Sequence, residues 1–86
     1  MKLQGAVVKE QGVTFAIVIV KAHVLSSQRE SEEAAGSFVS IFPGLPIILM
    51  AQDSRGTPTY FGRKDIVRFL ANIHISQIPR KEYTLN

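Results

Sequence analysis

Two stretches of this chain do not alternate between apolar and polar residues. Phe15-Ala16-Ile17-Val18-Ile19-Val20 and Ile47-Ile48-Leu49-Met50-Ala51 are apolar throughout. They are rich in β-branched side chains, which suits them to strands. A strand with one wet face places a polar side chain at every second position, so an unbroken apolar run marks a central strand covered on both faces. Two such strands need protein above and below them. Any fold of this chain must therefore supply two covering layers from 86 residues, a length at which one domain forms and the core stays thin.

The remaining segments are read around these two strands. Leu3 to Val8 forms a first strand, closed by Glu10-Gln11-Gly12 onto the strand Val13–Val20, in the manner of a hairpin with a glycine bulge. Ser27-Gln28-Arg29-Glu30 has capping-box spacing, and Glu30, Glu32 and Glu33 lie where the helix dipole favours negative charge. Ala34, Ala35, Phe38, Val39 and Phe42 follow at helical spacing, so a helix is expected over 27–42, stopped by Pro43 and Gly44. Gly36 inside it lowers helix propensity or admits a close neighbour. Asp53-Ser54-Arg55-Gly56 is a turn, and Thr57 to Phe61 returns as a strand that Pro58 assigns to an edge. After Gly62, Ile66, Phe69, Leu70 and Ile73 line one face of a second helix. Residues 75–86 read as an extended C-terminal tail, with Ile78-Pro79 packing back on the body. The expectation is one α+β (α/β) domain over residues 1–86, ordered β-β-α-β-β-α, with a four-stranded mixed or antiparallel sheet and two helices.

The second half, with Gly44-Leu45-Pro46 ahead of an apolar strand, a glycine turn, another strand, Gly62 and a last amphipathic helix, resembles the C-terminal half of the thioredoxin fold. The resemblance rests on one G-x-P and an element order, over about two thirds of the chain. It implies a cis proline at Pro46 and a substrate groove along the backbone beside it, with Leu45 and Pro46 as groove residues. The family's redox cysteine pair and the helix after it have no counterpart here, so the implied fold is truncated and does no thiol–disulfide exchange. The other architecture that fits is a two-layer sandwich of four antiparallel strands with both helices on one face.

The chain contains no cysteine, which excludes disulfides, thiolate metal sites and cysteine nucleophiles. His23 and His74 have no carboxylates at metal-ligand spacing, so neither a metal nor another cofactor is expected. Each reads as an element-end residue, with His74 favoured as a cation at a helix C-terminus. His23 and Ser26 form the nearest approach to a nucleophile and base, with no acid to orient the ring. No phosphate-binding glycine loop occurs. No apolar run approaches the roughly 20 residues of a membrane span, and Lys9, Glu10 and Gln11 interrupt what a secretory leader needs. A cytoplasmic protein with no membrane association is the expectation.

The formal charge is +3. Residues 1–43 are balanced and the whole excess lies in 44–86. That bias is far below the charge of a dedicated nucleic-acid domain, so nucleic acid is not the expected partner. Tyr60, Arg63, Lys64 and Arg68 form the leading ligand patch, in which aromatics and cations at a helix start would hold an anion such as a phosphate, or nucleic acid, through charge and backbone N–H groups. Two helices of about three turns scarcely cover both strands twice, so a second subunit is expected to complete one sheet face. The leading expectation is thus a non-catalytic protein-interaction or self-association module. It would be a homo-oligomer, a dimer, that associates through the exposed sides of Val7, Val8, Phe15 and Ile17. A protein partner is the other form of this reading, and an anionic-ligand or nucleic-acid binder is the alternative.

Overall fold

The computed structural model describes residues 2–10 and 12–84. Strands β1 (Lys2–Glu10) and β2 (Val13–Ile19) form the hairpin, with Glu10 opposite Val13 and Gly12 at a φ of 79°. Helix α1 (Gln28–Phe38) follows a 3-10 turn at Ala22–Leu25, and leads to β3 (Ile47–Gln52). Then come β4 (Pro58–Phe61), helix α2 (Lys64–Ala71), a 3-10 turn at Ile75–Gln77 and a fifth strand, β5 (Lys81–Thr84). The class is α+β, and the sheet runs β4-β3-β2-β1-β5. It is mixed: β2 and β3 are parallel, joined through α1, and the other neighbours are antiparallel.

The two apolar runs occupy the centre of the sheet, and side-chain alternation sends their residues to opposite faces. Phe15, Ile17, Ile48 and Met50 face α2, whose Ile66 and Leu70 cover them together with Ala6 and Ile78. Ala16, Val18 and Leu49 face α1, where Ala34, Ala35 and Phe38 pack with Leu3 and Phe42. The helices therefore lie on opposite faces of the sheet, not together on one. This corrects the two-layer alternative.

Coverage of the sheet is also corrected. Phe15 is 2% exposed, and Ala16, Ile17, Val18, Ile48, Leu49 and Met50 are fully buried within one chain. No second subunit is needed to keep the central strands dry, because Phe42, Leu45, Ile73, Ile75 and Ile78, all outside the helices, supply the missing cover. Phe15 and Ile17 thus have no exposed side to offer another copy.

Two boundaries differ from those expected. Helix α1 ends at Phe38 rather than at residue 42. Residues preceding a proline are driven out of helical geometry, and leaving the helix lets Phe42 turn inward to meet Tyr83 edge-on at 5.4 Å. Val39, expected on the apolar face, is 53% exposed. The expected tail is built into the fold: Ile78 is buried, and Lys81–Thr84 pairs antiparallel with Lys2–Gly5, giving five strands instead of four. The last two residues of that expected tail, and Gln11 of the hairpin, lie outside the described residues. The Leu45–Pro46 peptide is trans, unlike the cis bond that the resemblance implies.

Candidate functional site

The aromatic and basic patch is built by the junction of β4 and α2. Gly62 links them at a φ of 153°, and a Cβ there would stand 2.5 Å from Ile48 Cδ1 and 2.9 Å from the Ile47 carbonyl oxygen. The close approach sets the β4–α2 junction directly against β3. Tyr60 and Phe61 both pack inward, on opposite faces: Tyr60 joins the α2 side and Phe61 the α1 side. Tyr60, Lys64 and Arg68 come together along an open groove of about 570 Å³, beside Phe61, Gly62 and Val67. Burial raises the Tyr60 hydroxyl pKa, and its oxygen has no hydrogen-bond partner among the described residues.

Arg63 does not join them. Its guanidinium donates to both Asp65 carboxylate oxygens, Nε at 2.8 Å and Nη2 at 2.6 Å. These hydrogen bonds, aided by the Ile66 backbone N–H, lower the Asp65 pKa to about 2. The helix start thus already holds its own anion, and Asp65 occupies the place that the sequence reading gave to a ligand. Lys64 and Arg68 remain exposed, with no ion pair among the described residues.

The other residues singled out by sequence are held by local structure. Ser26 Oγ donates to the His23 carbonyl oxygen at 2.7 Å, not to the imidazole, so the two side chains form no catalytic pair. His74 is the N-cap of the second 3-10 turn, where Nδ1 accepts from the Ser76 backbone N–H at 3.1 Å. It caps the start of that turn instead of closing the end of α2. The Pro46 carbonyl accepts from the Ala16 N–H at 2.9 Å and so continues the sheet ladder. Leu45 is half-buried against the α1-side core, and the backbone beside Pro46 is engaged within the fold. Among the described residues, no three His, Asp or Glu side chains converge. No helix among them is long and apolar enough to cross a membrane.

Val7 and Val8 sit on a long strand whose two edges are paired unevenly. β1 pairs with β2 over Gly5–Glu10, but with β5 only over Lys2–Gly5. Residues 6–10 therefore form an overhang with a bare outer edge. The direction of its backbone groups follows from the ladder. Ala16 and Val20 donate to β3, so the alternate residues Phe15, Ile17 and Ile19 turn their backbone groups toward β1. Val8 and Ala6, opposite Phe15 and Ile17, point their own N–H and C=O groups at β2, and the alternate residues Val7 and Lys9 point outward. Among the described residues, the two N–H donors and two C=O acceptors of Val7 and Lys9 have no partner on this edge. Val7 is 42% exposed on the α1 side, and Val8 is half-buried against the α2-side core.

The sheet's other edges are guarded. β4 is short and begins at Pro58, while β5 is short and carries Lys81 and Glu82, all of which discourage added strands. Sequence reading named Val7 and Val8 but missed Lys9, whose backbone matters more than its side chain. No sequence signal marks it, because the overhang exists only by virtue of how far β5 runs along β1. No family model, curated protein sequence or solved structure matches this chain.

Proposed function

We propose that this protein is a small non-catalytic association module whose docking element is the open edge of β1, to which a protein partner adds a strand. The observation that carries this reading is the overhang at residues 6–10, with Val7 and Lys9 presenting unpaired backbone groups beside two valines. Backbone pairing supplies the affinity in such contacts, and alternate side chains supply the selectivity. The anion-binding alternative is the weaker reading, because Asp65 neutralises Arg63 and fills the helix start.

The experiment is a titration of a peptide reproducing residues 2–10 into the isotopically labelled chain, followed by amide NMR. The Val7 and Lys9 amides should shift and gain exchange protection ahead of Ala6 and Val8, whose N–H groups already face β2. Shifts that are absent from a chain sedimenting as a monomer, or that centre on α2, would remove the reading.

A further inference from the structure

Building on the proposed strand addition at this edge, we infer that the partner is a second copy of the chain, joined β1 to β1 in a two-fold antiparallel register centred on Val8. The free window fixes that register. Only residues 6–10 are bare, since β5 takes the edge from Gly5 onward. Only Val7 and Lys9 within it have outward backbone groups. An antiparallel strand exchanges both bonds of a residue pair only when both members face each other's backbone. With Val8 opposite Val8 of the second copy, Val7 meets Lys9 of that copy and Lys9 meets its Val7. Each of those pairs makes two bonds, so all the unpaired groups on both copies are satisfied at once.

The neighbouring symmetric registers are worse. Centring on Lys9 sets two like charges directly opposite, which is destabilising. Centring on Val7 pairs Lys9 with Gly5, whose outward side is occupied by Lys81 of β5. The Val8-centred register also makes the core continuous, because Val8 already packs against the α2-side core and would meet its own counterpart across the axis. A two-fold contact of this kind uses the same edge on both copies and closes on itself, so it gives a dimer and not a fibre.

A cysteine-free chain allows a direct test of the register. In a non-hydrogen-bonded antiparallel pair the Cα atoms are about 4.5 Å apart, within disulfide reach. The two copies of Val7 would lie about 8 to 9 Å apart, from the rise along a strand and the spacing between strands. Under copper–phenanthroline oxidation, Val8→Cys should run mainly as a covalent dimer and Val7→Cys as a monomer. Sedimentation of the unsubstituted chain and of Lys9→Pro accompanies this and does not depend on either cysteine variant folding. Lys9→Pro deletes one outward N–H and no internal ladder bond, and should weaken dimerisation at least about tenfold. Cross-linking of Val7→Cys as fast as Val8→Cys, or a dimer indifferent to Lys9→Pro, overturns the register. A chain that is monomeric at all concentrations, yet shows the peptide-induced shifts at Val7 and Lys9, overturns the second copy as partner while strand addition stands. A chain that is monomeric and also lacks those shifts removes strand addition itself.

Discussion

Arg63 and Asp65 show how two side chains two positions apart can change the meaning of a motif. In the sequence, Arg63 counts toward a basic patch with Lys64 and Arg68. In the fold, its guanidinium closes on Asp65 and removes both charges from the ligand's side of the helix. The Asp65 carboxyl, ordinarily near 3.8, is held at about 2 by those hydrogen bonds first and by the Ile66 N–H. A folded-state value below the unfolded one stabilises the native state. That contribution is complete above the unfolded value and disappears as pH falls through the folded one, so this pair weakens between about pH 4 and pH 2. In Arg63→Gln, carboxyl-detected NMR should show the Asp65 midpoint moving up from about 2 toward its ordinary value. An unmoved midpoint would mean that the backbone alone holds the carboxylate. Nothing in residue spacing alone distinguishes a guanidinium aimed at solvent from one folded back onto its neighbour.

At the scale of elements, propensity and punctuation were legible and pairing was less so. Ser27 Oγ accepts from the Glu30 N–H at 3.1 Å, as the capping spacing implies. Asp53 Oδ1 accepts from the Arg55 and Thr57 N–H groups at 2.8 and 2.9 Å, so the hairpin tip is organised by the residue type that turns favour. The edge position of β4 follows from Pro58. The strand Lys81–Thr84 was not legible, because Lys-Glu-Tyr-Thr has neither an apolar run nor a strict alternation. Its pairing depends on β1 being available beside it. The β4–α2 junction gives the sharpest test at this scale. A methyl at Gly62 meets both Ile48 and backbone in a φ region that side chains disfavour. Gly62→Ala should therefore cost about 2 kcal/mol or more in urea unfolding, from strain and overpacking together. A loss below about 0.5 kcal/mol, the range of neutral surface changes, would show that the β4–α2 junction has room to withdraw from β3.

For the whole molecule, the decisive fact is that one chain closes both cores. Both faces of β2 and β3 are dry without a partner, so association and folding are separable here. Obligate dimers unfold as they dissociate, because their cores are shared between subunits. This chain should instead dilute from dimer to folded monomer. Far-UV circular dichroism at submicromolar concentration should retain the folded spectrum, and Lys9→Pro should retain it at every concentration. Loss of structure on dilution would show that the second copy completes the core after all. The bare β1 edge is thus a surface property of a finished fold, and its pairing is expected to be reversible.

The class of fold, the two central strands, the turn at Asp53–Gly56 and the cap of the first helix are legible in the chain alone. Each of these depends on residues near one another in the chain, or on the solvent exposure that an apolar run forbids. Which layers cover the sheet, where the last strand pairs and which edge stays open emerge only on folding. Those outcomes depend on residues far apart in sequence competing for the same surface and the same backbone groups. Periodicity shows that a side chain must be buried, but it carries no information about which distant segment will bury it.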